Sequence, residues 1–232
     1  MRLIGPVLAL VAIASGVAVA APHLRHRSPR PSEVAGARYR LDRARADSSG
    51  ALYLSAEQRR RGFSFDATVA PADRQAFAAA VADARPEARA LIALVDGLVD
   101  VHVATTGGQS LGVTSETPNG YDLTVDLARV SAMYGRRGID RVVLHELGHV
   151  VDFALVPDDV TGPLDAEIPR GWGCEDGTTG ACASREERFA ETFAKWATGD
   201  LGADLYIGYK VPPPSVSLET WGQPLAQLAA AA

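Results

Sequence analysis

From Ala70 onward the spacing of apolar positions changes period several times, and each change predicts an element. In APADRQAFAAAVADA, Pro71 and Asp73 occupy a helix start, and Phe77, Val81 and Ala84 form its apolar side. A second helix opens at Pro86 and Glu87 and stops at Gly97. In LVDVHVATT the period falls to two. Val99, Val101 and Val103 share one face and His102 lies on the other, which predicts a strand with His102 as a structural or exposed residue. QSLGVTSETPNGYDLTVDLARV reads as a hairpin, with Pro118-Asn119-Gly120 at the turn and Leu123, Val125 and Leu127 alternating after it.

The next segment is apolar nearly all round. Val142, Val143, Leu144, Leu147, Val150 and Val151 surround HELGH, so a buried helix is expected from about Ile139 to Ala154 or Leu155, ended by Pro157. Pro157 to Ala183 is rich in Gly, Pro and Asp and reads as a long connection. In SREERFAETFAKWATG, Ser184 is an N-cap with Glu187 three positions on, a capping box. Phe189, Phe193, Trp196 and Ala197 form the buried side, and Gly199 stops the helix. The tail is extended through Pro212 to Pro214, with room for a short terminal helix. No internal repeat is visible. These elements predict an α+β fold: a small mixed sheet, the HELGH helix packed beneath it, and a downstream helix bearing glutamates.

Composition bounds the picture. The 232 residues are 47% apolar and 22% charged, enough for one domain with a substantial core plus appendages. A formal net charge of −5 implies no general affinity for nucleic acid or for an anionic membrane surface. The first residues carry Arg2, an apolar run from Leu3 to Val19 and the small-residue triplet Ala18-Val19-Ala20. Residues 1–20 therefore read as a signal peptide cleaved after Ala20, or as an uncleaved membrane anchor. In both cases the remainder is secreted or extracytoplasmic, and a membrane is involved only if the segment is retained. Residues 21–50, rich in Arg, Pro and Ser, read as a disordered linker in which His23 and His26 are solvated among arginines. Residues 51–232 then form the folded domain. Cys174 and Cys182, the two cysteines of an exported chain, read as a disulfide worth about 2–3 kcal/mol, with zinc ligation as the competing reading.

Histidine is scarce, five in the chain, yet His145 and His149 stand one helical turn apart with Glu146 between them. On a helix both imidazoles reach one side and can hold one zinc ion. Zinc brings the pKa of a bound water toward neutrality, and Glu146 is placed to take its proton as general base and pass it to a departing amine. The bland alternative is a pair of satisfied core histidines. Leaving three such groups unpartnered in an apolar helix costs several kcal/mol, and a metal removes that conflict. A hydrolytic zinc normally takes three protein ligands and keeps one open position. The third is sought in EERFAET, where Glu187 and Glu191 share a helix face. One can bind zinc while the other supports a ligand histidine through its second ring nitrogen. The alternative there is a solvated acidic face paired with Arg185, Arg188 and Lys195. Glu167 is a weaker candidate, and Glu186 falls toward solvent.

HELGH followed by ERFAETFA resembles the zincin metallopeptidases of the gluzincin kind, and is similar to the catalytic domain of anthrax lethal factor in its downstream Glu-x-Phe-Ala-Glu spacing. The resemblance covers the two helices and, loosely, the strands before them. It implies a zincin-like fold, zinc ligands His145, His149 and Glu187, general base Glu146, Glu191 supporting His145, and a peptide or protein substrate. It also implies that a strand forms the upper rim of the cleft, here Leu111 to Thr114 or Tyr121 to Val125. Asp152, one turn past His149, either supports the ligands or helps end its helix. The family's transition-state donor, a tyrosine about two turns before the ligand glutamate, is replaced here by Gly180, which leaves Tyr206 or Tyr209 as candidates. The expected activity is a secreted zinc-dependent endopeptidase. The other reading is a non-catalytic, zinc-stabilised extracellular binding module, against which the intact Glu146 argues.

Overall fold

Alternating burial along Val99–Val103 and Gly120–Val125 makes these two segments the centre of a four-stranded sheet. The computed structural model describes residues 62–106, 110–170, 183–202, 204–205 and 211–231. The expected signal segment and linker, the Cys174 and Cys182 pair, Gly180, Tyr206 and Tyr209 lie outside the described residues. Within them the fold is α+β, with six α-helices and one small mixed sheet.

The strands are β1 (Ser64–Phe65), β2 (Val99–Val103), β3 (Gly112–Thr117) and β4 (Gly120–Val125), in the order β1-β2-β4-β3. β1, β2 and β4 run parallel, and β3 lies antiparallel at the edge. Register fixes which side chains share a face. Val101, Leu123 and Thr114 lie abreast, as do Val103, Val125 and Gly112. Because side chains alternate across a strand, both Gly112 and Thr114 belong to the face that buries Leu123 and Val125.

Helices α1 (Pro71–Ala82) and α2 (Pro86–Ala93) connect β1 to β2. Each begins with proline, whose missing N–H costs nothing at a helix start. The second helix ends at Ala93, not at Gly97; a 3₁₀ turn, Asp96–Leu98, fills the interval. α3 spans Leu127–Leu155, longer than the periodicity suggests. Leu127 does not continue the strand alternation, because Asp126 caps the helix by accepting the Arg129 N–H at 3.1 Å. α3 is two helical pieces joined at Gly135, whose φ of 62° lies in the left-handed region open to glycine. Its second piece passes beneath the sheet and packs most extensively on α5 (Arg185–Thr198).

The Pro157 to Ala183 connection contains a helix, α4 (Asp158–Ala166), despite Gly162 and Pro163. Its first turn carries Asp158 and Asp159, a favourable sign for the helix dipole. Leu164 and Ile168 are buried, and the Leu164 carbonyl accepts from Trp221 Nε1 at 3.2 Å. Tertiary burial thus outweighs the weak local propensity. The last helix, α6 (Leu218–Ala230), is capped by the Ser217 hydroxyl, which accepts the Thr220 N–H at 3.1 Å. Trp221 packs on Phe189 of α5, and Gly222 leaves room for the Trp196 indole.

Candidate metal centre

Two helices build the site. On α3, His145, Glu146 and His149 are all buried, and the imidazoles stand 5.0 Å apart between ring centres. On α5, the Ser184 hydroxyl accepts the Glu187 N–H at 3.4 Å, and Gly199 ends the helix in the left-handed conformation at φ 68°. The capping geometry puts Glu187 in the first turn, with Glu191 one turn further on. The helices approach closely because Gly148 has no side chain: a Cβ there would lie 3.0 Å from Ala190 Cα and 3.2 Å from Phe193 Cδ1.

This crossing brings His145, His149 and Glu187 together, with one donor atom from each within 4.8 Å of the others. His145 Nε2 lies 3.2 Å from one Glu187 oxygen, and His149 Nε2 lies 3.8 Å from the other. The opposite nitrogen of His145, Nδ1, faces Glu191 Oε2 at 3.2 Å. Two imidazoles converging on one carboxylate offer two nitrogens and one oxygen, a donor set that could hold a divalent metal. His149 makes no hydrogen bond among the described residues, and its ring stacks on Phe153 at 6.0 Å. Burial, with the neighbouring His145, lowers its pKa to about 4, which keeps it in the neutral form that ligates metal. In His145, burial opposes the charge, but hydrogen bonds to Glu187 and Glu191 outweigh it and raise the pKa to about 10. A cation in the triangle would replace that proton. The residues therefore fit a divalent metal.

Glu191 is the centre of a buried charge cluster. Its Oε1 accepts from Arg141 Nε at 3.1 Å and Nη2 at 2.9 Å, and Lys195 Nζ lies 3.7 Å away. Arg141 also donates to the carbonyls of Asp200 at 2.7 Å and Leu201 at 3.2 Å. Lys195 donates to the Val211 carbonyl. Burial works against the Glu191 charge, yet His145, Arg141 and Lys195 together hold its pKa below the ordinary value. Burial lowers the pKa of Lys195 to about 8.

Glu146 is 5% exposed, and burial raises its pKa to about 7, with His145 and a hydrogen bond from Thr114 pulling the other way. The Thr114 hydroxyl donates to Glu146 Oε2 at 2.8 Å. Gly112 also faces Glu146: a Cβ on Gly112 would overlap Oε1 and lie 2.7 Å from Cδ.

Asp152 touches neither imidazole. It accepts two hydrogen bonds from Arg185, at 2.8 and 2.6 Å, and so ties α3 to the first residue of α5. Glu167 accepts from the Ser215 hydroxyl and lies outside the cluster, and Glu186 pairs with Arg185 at 3.5 Å with its side chain 41% exposed. His102 is a half-exposed strand residue between Asp66 and Asp122, at 3.5 and 3.7 Å. Tyr206, Tyr209 and the cysteine pair fall outside the described residues.

Sequence reading missed Arg141, Thr114 and Gly112, and it named Lys195 as a partner of the acidic face but placed that face in solvent, whereas Lys195 and Glu191 are buried. Helical spacing offered a signal for the two cations, since Arg141 precedes His145, and Lys195 follows Glu191, by one turn. No local pattern marks Thr114 or Gly112. Comparison with models of known families, with curated proteins and with solved structures gives no match for this chain.

Proposed function

We propose that this chain is an exported zinc-dependent endopeptidase of the gluzincin zincin type. The observation that carries the reading is the convergence of His145, His149 and Glu187 beside a buried carboxylate, Glu146, whose pKa is raised to about 7. His145, His149 and Glu187 would hold the metal. Zinc bound there supplies Lewis acidity, which makes water nucleophilic near neutral pH and polarises a carbonyl.

The chain's residues supply the rest. Glu146, buried beside the cluster, is the carboxylate placed to accept a proton from the attacking water and release it to the leaving amine. Glu191 holds the His145 ring by its Nδ1 so that Nε2 points toward Glu187. No described strand pairs with the outer edge of β3, so its main-chain groups can take an extended peptide as a further strand. That favours Leu111 to Thr114 over Tyr121 to Val125 as the rim, because β4 lies inside the sheet.

The test is metal content of the purified chain and cleavage of a mixed peptide library with and without chelator. Chelator-sensitive cleavage that Glu146→Gln abolishes, with zinc retained, is the expected result. Zinc binding without cleavage would instead make the chain a metal-stabilised binding module, and no zinc at all would end both readings.

A further inference from the structure

The groups around Glu146 come from the edge strand, not from its own helix. Register places Gly112 and Thr114 on the sheet face that also carries Leu123 and Val125, above α3. From there two different contacts act on one carboxylate. Thr114 Oγ1 lies 2.8 Å from Glu146 Oε2 and 3.2 Å from the Glu146 main-chain oxygen. Gly112 supplies space, since a Cβ at that position would overlap Oε1 and sit 2.7 Å from both Cγ and Cδ. Hydroxyl and gap stand two residues apart on one face, the spacing a strand provides. The carboxylate is therefore bounded on one side by a donor and on another by bare backbone.

We infer that Thr114 is the positioning residue of the general base, and that the Gly112 gap is the slot that admits the Glu146 carboxylate under the edge strand. The inference rests on the endopeptidase reading. A buried glutamate has three side-chain torsions, and each rotamer left accessible dilutes the reactive one. A hydrogen bond on Oε2 selects one rotamer and leaves Oε1 as the oxygen that takes up a proton. The donor is neutral, so it orients the carboxylate without adding the full charge of a lysine or arginine, which would stabilise the anion and weaken the base. The Glu146 carbonyl lies 3.2 Å from the same hydroxyl and is the weaker acceptor for its single proton. The edge strand thus performs two tasks in one segment: no described strand pairs with its outer side, which leaves that side to an extended peptide, and its inner face aims the base.

Three variants test this: Thr114→Val, which keeps shape and removes the donor; Thr114→Ser, which restores it; and Gly112→Ala, which fills the slot. The probe is the fluorogenic peptide that the wild-type chain cleaves fastest from a mixed library, with zinc affinity measured in parallel by competition with a chromophoric chelator. Thr114→Val should lower kcat by roughly 10- to 100-fold, as expected for a displaced base, with KM and zinc affinity unchanged. Thr114→Ser should recover to within a few-fold of wild type, and Gly112→Ala should lose roughly 100-fold or more in kcat with zinc retained. Wild-type kcat in Thr114→Val or Gly112→Ala overturns the inference. So does an equal loss in Thr114→Ser and Thr114→Val, or loss of zinc alongside kcat, because the contact would then be packing alone. A double-mutant cycle in chemical unfolding, Thr114→Val against Glu146→Gln, separates the two failures. Wild-type chain that cleaves nothing while the pair remains coupled overturns the endopeptidase reading and the positioning role with it. Active wild type with no coupling overturns the positioning role alone.

Discussion

Glu191 offers one oxygen to His145 Nδ1 at 3.2 Å and the other to Arg141 at 2.9 and 3.1 Å. A single buried carboxylate therefore orients a ligand imidazole and neutralises a buried guanidinium. Glu191→Gln removes the charge and keeps the shape, leaving Arg141 and Lys195 buried without a counter-ion. Unfolding free energy should fall by about 3 kcal/mol or more, and zinc affinity by roughly 10- to 100-fold. Denaturant titration and chelator competition measure the two losses. Unchanged zinc affinity would remove Glu191 from the support of His145.

Asp152 separates position from stability. Burial holds its pKa above the usual carboxylate value despite two hydrogen bonds from Arg185, so the ionised group costs the fold something at neutral pH. Arg185 is partly exposed and is easily rehydrated. Asp152→Asn should leave the thermal midpoint nearly where it is. It loosens the tie at the first residue of α5, two residues before Glu187, and zinc affinity should drop about 3- to 10-fold, a partial version of the loss seen when a ligand's support is removed. A large fall in melting temperature with full zinc affinity would contradict that role.

Lys195 gives a pH signature. Its pKa falls from 10.5 to about 8 on burial. Below pH 8 both the folded and unfolded chains carry this proton, so it adds no pH dependence. Between pH 8 and 10.5 the unfolded chain keeps a proton that the folded chain has lost, and stability therefore rises with pH. Subtracting the unfolding free energy of Lys195→Met from that of wild type should give a flat line up to pH 8 and a rise beyond it. A difference that stays flat to pH 10.5 would show that the ammonium is not penalised.

Gly148 sets the distance between the helices that carry His145, His149 and Glu187. Gly148→Val would press on Ala190 backbone and Phe193 from the middle of the His145 to His149 turn. It should lower stability by about 1–3 kcal/mol by overpacking and zinc affinity by a larger factor than any substitution outside the ligands. Gly162→Ala is the control, because a Cβ there meets nothing within 4 Å and the residue is helical. Because the Pro163 ring disfavours a Cβ on the helical residue before it, the usual helix gain is offset and stability should change little, with zinc affinity unchanged. Equal effects from the two substitutions would deny Gly148 its role as spacer.

Local chemistry explains which of these features could be read from residues alone. HELGH and the Ser184-to-Gly199 helix are legible because capping, helical spacing and titratable groups in an apolar run are all local. The same spacing makes Glu187 and Glu191 neighbours, and the structure puts both against His145. Arg141 gave no signal, and Lys195 read as part of a solvated face, because a cation on a helix ordinarily faces water. Their burial is visible only once α3, α5, the Asp200–Leu201 carbonyls and Val211 are assembled around them. α4 was hidden by Gly162 and Pro163, and the start of α3 by an alternation that runs on to Leu127, two residues past Val125. Gly112 and Thr114 gain their meaning from strand order, which no spacing along the chain encodes.

The ligand set is split across the chain. Thr114, His145, Glu146 and His149 all belong to the continuous β3-to-α3 segment, while Glu187 arrives 42 residues after His145. On the proposed reading, ion capture would be coupled to the packing of α5 on α3, and each would strengthen the other. A bound ion would act as a clasp on that seam. Removing a bound ion with chelator should then quicken amide hydrogen exchange along α5 more than in the strands, which would make metal supply a condition for completing the fold.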